Sequence, residues 1–151
     1  MREEIPPAER QTYIIDTSVV LKWYYQEEEK EVEQAFKLRE DYRQRRIDLY
    51  APALLVYELA NVLRYKKDLE ESYIEEAIES IYEMRLLKPV TQEIIKEAVR
   101  IALRCNASVY DAVYLAFAEE HHSWFLTADR QFYLKVKQLP PVIFIADYQG
   151  V

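Results

Sequence analysis

Short apolar runs recur along this chain, and the longer stretches between them carry apolar residues every three or four positions. The runs fall at residues 13–15, 47–51, 86–90, 124–126 and 142–145. They have the length of strands, not of helices that bury a face. Ile74, Ala77, Ile78, Ile81 and Tyr82 follow the helical period, as do Ile94, Ile95, Ala98, Val99 and Ala102. The heavily charged residues 28–46 keep a narrow stripe through Val32, Ala35 and Phe36. Strands separated by helices predict βαβ units, and hence an α/β fold with helices on both faces of a parallel sheet. A length of 151 residues allows one domain and one sizeable core. Residues 1–10 are polar with Pro6-Pro7 and are expected as a flexible arm ahead of a single domain over 11–151.

Composition narrows the function classes. Half the residues are apolar and 31% are charged, which describes a folded chain and not a disordered one. No apolar run is long enough to cross a membrane. The start of the chain lacks a signal-type apolar stretch, and the lone Cys105 has no disulfide partner, so a cytoplasmic location is expected. The net charge of −7 argues against a broad nucleic-acid-binding face. It leaves room for a small acidic site that holds a cation, with basic residues on its rim. Arg39, Arg43, Arg45, Arg46, Arg64, Lys66, Lys67 and Arg130 are the candidates for that rim, though any one of them reads first as part of a solvated helix face. The single glycine, Gly150, excludes a glycine-rich phosphate loop. His121 and His122 are adjacent and have no further ligand at zinc spacing, so a helix C-terminus suits them better.

Four acids stand out. Asp16 follows the first apolar run and Asp129 follows the fourth after Thr127-Ala128, so both belong at the carboxyl edge of the sheet, where α/β folds bind ligands. Each could instead cap the helix that begins there. Asp111 sits in a Ser108-x-x-Asp111 pattern that reads equally well as a capping box. Glu58 is different, because Leu55, Leu59 and Val62 place it on the apolar face of a helix, too far along to serve as a cap. An acid on such a face must be paired, protonated or bound to a cation. A salt bridge to an arginine is the plain alternative. Gathered carboxylates without His or Cys suit Mg²⁺, or Mn²⁺, in preference to zinc.

The stretches Tyr13-Ile-Ile-Asp16-Thr-Ser-Val-Val-Leu-Lys-Trp, Tyr57-Glu58-Leu-Ala-Asn-Val-Leu-Arg, Tyr110-Asp111-Ala-Val-Tyr-Leu-Ala-Phe-Ala and Phe125-Leu-Thr-Ala-Asp129-Arg resemble the PIN-domain ribonucleases, and among them the VapC-type toxins of toxin–antitoxin pairs. The resemblance spans roughly residues 12–147, with the motifs in the family's order. It implies a three-layer α/β/α fold with a five-stranded parallel sheet, and Asp16, Glu58, Asp111 and Asp129 as catalytic metal ligands. Thr127 falls where the family's supporting hydroxyl lies. The resemblance further implies Mg²⁺-dependent cleavage of an RNA substrate by an activated water, leaving 5′-phosphate and 3′-hydroxyl ends, together with homodimerisation and a cognate antitoxin protein. Related chains often carry glycine near the helix ends flanking the third acid. Asn106 and His121-His122 stand there instead, and Asn and His tolerate the left-handed backbone such turns need. A non-catalytic PIN-like module for protein partners, or a divalent-metal DNA nuclease, are the competing readings.

Overall fold

The structure, a computed structural model, describes residues 3–151. Each apolar run becomes a strand: β1 (Gln11–Ile15), β2 (Ile47–Pro52), β3 (Leu87–Lys88), β4 (Trp124–Thr127) and β5 (Val142–Phe144). All pair in parallel, in the spatial order β3-β2-β1-β4-β5. The intervening helices are α1 (Thr17–Tyr24), α2 (Val32–Arg43), α3 (Leu54–Arg64), α4 (Glu71–Glu83), α5 (Gln92–Cys105), α6 (Val109–Glu120) and α7 (Arg130–Val136). The chain steps from β1 to β2 to β3 in one direction, then returns past β1 to β4 and β5. Right-handed crossovers therefore set α1–α4 on one face and α5–α7 on the other, giving three layers.

Burial from both sides explains the unbroken apolar ends of β1 and β4, whereas β2 alternates through the half-buried Asp48 and Tyr50. Ile14, Ile15, Leu49, Phe125 and Leu126 have no exposed surface. Helix α6 is buried at every position from Ala112 to Ala118, as expected of a helix packed between α5 and the middle of the sheet. Strand β3 is shorter than its apolar run because Pro89 has no N–H to extend the ladder.

The polar start of the chain is held to the amino edge of the sheet. Ile5 N–H donates to the Arg45 carbonyl at 3.1 Å. The Arg10 guanidinium donates to the Ile5 carbonyl at 2.6 Å and to Asp48 at 3.4 Å. Residues 1 and 2 of the expected arm lie outside the described residues.

With Gly150 as its only glycine, the chain makes its left-handed turns with other residues. Asn106 closes α5 at φ 54° and His122 follows α6 at φ 49°, the two regions in which the sequence suggested such turns. Asn106 is exposed, and the Ala107 N–H reaches back over it to the Ala102 carbonyl at 3.0 Å. A β-branched residue is strained there by about 1–2 kcal/mol. Asn106→Val is therefore expected to lower the unfolding free energy by about that amount in denaturant melts, while Asn106→Gly stays within a few tenths of wild type.

Candidate active site

In an open parallel sheet the ligand crevice opens at the carboxyl ends of the strands, where the direction of chain progression reverses. That point here lies between β1 and β4. Asp16 is the first residue after β1, and Thr127 is the last of β4. The register pairs Ile15 with Leu126, which carries the next residues, Asp16 and Thr127, side by side. Thr127 Oγ1 donates to Asp16 Oδ2 at 2.6 Å. On the other oxygen, Asp16 Oδ1 accepts the Ser18 N–H at 3.1 Å and a short bond from the Ser18 hydroxyl. Asp16 thus caps α1 and is also a buried carboxylate, 7% exposed.

The other three acids arrive on helices. Asp129 caps α7, accepting the Phe132 N–H at 3.1 Å, and its own N–H donates to Thr127 Oγ1 at 3.1 Å. Asp111 lies in the first turn of α6, where Ser108 is the capping residue. Glu58 is half-buried on α3 beside the fully buried Leu55 and Leu59, the face its spacing predicted. Its Oε1 accepts from Thr17 Oγ1 at 3.1 Å and from the Tyr114 hydroxyl. No arginine meets it, and none of the four acids forms an ion pair among the described residues.

The electrostatics tie the acids together. Burial pushes the Asp16 carboxyl up to about 7, against the bonds from Ser18 and Thr127, and the charge of Asp129 adds to the rise. Burial also raises Glu58, with the bonds from Tyr114 and Thr17 opposing and the charge of Asp111 adding. Asp111 is raised by burial and then by Asp129, with Ser108 and the charge of Lys135 opposing. Repulsion therefore runs from Asp16 through Asp129 and Asp111 to Glu58. Unpaired, crowded carboxylates of this kind are what a divalent cation relieves.

Whether a metal fits can be judged from the donors. All are hard oxygens, which suits Mg²⁺ or Mn²⁺. Among the described residues, no three acidic, His or Cys side chains converge as a ready-made cage. A dry site of three direct protein ligands is thus not what the side chains form. A hydrated ion needs only one or two carboxylates and reaches the others through water, and the set fits that.

Three hydroxyls at the site were not singled out as site residues in the sequence. Ser18 bonds Asp16 and also accepts the Ala128 N–H at 2.8 Å, which ties the ends of β1 and β4 together. Tyr114 and Thr17 hold Glu58, and their own hydroxyls are 3.1 Å apart. Tyr114 follows Asp111 by three positions on α6, which puts the two on one helix face, and that spacing was the available signal.

The basic rim is corrected in part. Residues 39–46 run from the last turns of α2 to the residue before β2, so they lead to the amino edge of the sheet, opposite the acids. Arg43 is engaged by Glu40, Arg45 by Glu4, and Arg46 bonds the Glu3 carbonyl. Arg130 lies beside the acids, its guanidinium 4.6 Å from the centre of the Phe144 ring.

A family model described as the PIN domain matches residues 13–137. The chain is 32% identical to Ribonuclease VapC3 of Pyrobaculum aerophilum over 124 residues, covering 78% of this chain and 89% of that protein. The crystal structure of PAE2754 from the same organism superposes with a TM-score of 0.65 at 19% identity, covering 91% of this chain and 92% of the other. VapBC2 of Rickettsia felis, solved with a DNA fragment from its promoter, superposes at 0.65 with 9% identity, over 89% of this chain and 97% of the other.

The raised Asp16 carboxyl has a sign that can be measured. Between about pH 4, where an unfolded Asp loses its proton, and about 7, the folded chain holds a proton that the unfolded chain has released. In that window the folded state binds more protons, so stability falls as pH rises. Melting curves in chelator should show this decline for wild type. Asp16→Asn should reduce it and melt higher than wild type above pH 7, whereas an unchanged pH profile would contradict the burial of a free carboxylate.

Proposed function

The chain belongs to the PIN-domain family, and from that premise we propose that it is a divalent-metal-dependent ribonuclease, the VapC-type toxin of a toxin–antitoxin pair. The observation that carries this reading is the buried Asp16 at the β1–β4 crevice, without an ion pair among the described residues and repelled by Asp129, which in turn repels Asp111 as Asp111 repels Glu58. The relative named as a ribonuclease supports the choice of RNA.

In this reading Asp16, Glu58, Asp111 and Asp129 hold Mg²⁺ or Mn²⁺. The ion, when bound, activates a water for attack on a phosphodiester and neutralises charge building on the phosphate. The protein's own part is orientation. Thr127 and Ser18 fix both oxygens of Asp16, and Tyr114 and Thr17 fix Glu58, so neither acid rotates away from the crevice. Preset ligands avoid the reorganisation that a mobile carboxylate would need. A protein antitoxin that covers the crevice and a homodimeric state complete the proposal. No helix among the described residues is long and apolar enough to cross a membrane.

The test is cleavage of single-stranded RNA and matching DNA, side by side, with and without Mg²⁺ or Mn²⁺. RNA is expected to be cut only with the metal. Asp129→Asn should lower the rate about a hundredfold or more, in line with the several kcal/mol a metal centre supplies, while the variant melts as a folded protein. Equal cleavage by the variant, or cleavage of DNA alone, would overturn the reading.

A further inference from the structure

Asp129 and Ser18 share a cleft whose remaining walls the acids' chemistry does not use. The cleft, of about 350 Å³, opens next to Asp129, and its walls include Ser18, Lys22, Glu29, Lys30 and Arg130. Lys22 sits in the last turn of α1 with its side chain only 5% exposed. Lysine is rarely buried without a partner, and here the partner is Glu29, whose Oε1 accepts from Nζ at 2.9 Å. Glu29 belongs to the connection between α1 and α2. Glu28 and Glu31 in that connection hold left-handed backbone at φ 61° and 53°, a conformation unfavourable for glutamate. The connection that presents Glu29 to the buried ammonium thus carries two glutamates in left-handed backbone. Arg130, across the cleft, rests on Phe144 and forms no ion pair among the described residues.

Resting on the ribonuclease reading, we propose that this cleft seats a phosphate of the RNA strand flanking the one that is cut. Arg130 is its open cation, and Lys22 is a second cation on which Glu29 occupies the phosphate's place. Glu28, Glu29, Glu31 and Asp129 together outnumber Lys22, Lys30 and Arg130 around the cleft. Unliganded, it repels a polyanion until the strand displaces Glu29 and the strained connection relaxes. The acidity of the chain and its binding of RNA are then compatible, because the basic charge needed is local and held in reserve. A carboxylate and a phosphate oxygen place the same demand on an ammonium, so the exchange keeps the hydrogen bond and replaces one anion with another.

A plain structural staple makes the opposite prediction for one variant, so the two readings separate. The probe is a short labelled single-stranded RNA, bound in chelator so that nothing is cut, with affinity read by fluorescence anisotropy at several salt concentrations. Lys22→Met and Arg130→Ala are each expected to weaken binding roughly tenfold. Each should also flatten the slope of log affinity against log salt by about 0.7, one phosphate contact on a single strand. Lys22→Arg should retain most of the affinity, and Glu29→Gln should bind several-fold more tightly than wild type. If Lys22→Met and Arg130→Ala match wild type, or if Glu29→Gln weakens binding alongside Lys22→Met, the phosphate seat is overturned and the ribonuclease reading stands. If wild type itself neither binds nor cuts RNA, both fall together.

Discussion

Asp16 holds its carboxylate nearly out of reach of water, 7% exposed, where no cation among the described residues forms an ion pair with it. That position follows from the first strand alone. The apolar residues of β1 drive the chain through the middle of the sheet, and the acid is the first residue to emerge at the carboxyl edge. Its oxygens are satisfied by Ser18 on one side and Thr127 on the other, so hydrogen bonding is complete while charge is not. A structure selected for stability alone would replace such a group with an amide or an apolar residue. Retaining it sets a requirement on what surrounds it, because the charge of Asp129 adds repulsion to desolvation. Strain of this kind is common at functional sites and uncommon elsewhere.

Two chemical demands meet in the loop ends. Asp16 and Asp129 both cap helices, so the N–H groups at the starts of α1 and α7 are satisfied by the same carboxylates that face the crevice. Capping fixes their rotamers through backbone bonds. Asp111 is free of that duty because Ser108 caps α6. Glu58 reaches the site from the second turn of α3 and is fixed by hydroxyls instead. Capping and a place at the crevice are therefore compatible for Asp16 and Asp129, since both cap a helix at the carboxyl edge of the sheet.

Much of this was legible in the sequence because the signals are local. Strand positions followed from run length, and the meeting of Asp16 with Asp129 followed from each trailing a strand in a parallel sheet. Glu58 was legible because Leu55 and Leu59 share its helical face. The hydroxyl partners were harder to see, since Tyr114 meets Glu58 only after α3 and α6 are brought together by packing over a long stretch of chain. The misplaced basic segment has a simpler cause. Charge density in residues 39–46 carries no information about which edge of the sheet they occupy. Their position immediately before β2 does, and it puts them at the amino edge with Glu3, Glu4 and Glu40 as partners. The connection that carries Glu29 was opaque for another reason, because its left-handed residues are glutamates and no glycine marks the turn.

The claim at the centre is that protons occupy the crevice until a divalent cation displaces them. Calorimetric titration of Mn²⁺ into the protein near pH 6.5, in two buffers of different ionisation enthalpy, tests it most directly, because proton release makes the observed heat depend on the buffer. Binding accompanied by release of a sizeable fraction of a proton is the expected result, with the release shrinking as the pH is raised above 7 and the raised Asp16 carboxyl ionises on its own. Binding with the same heat in both buffers, or no binding at all, would contradict it.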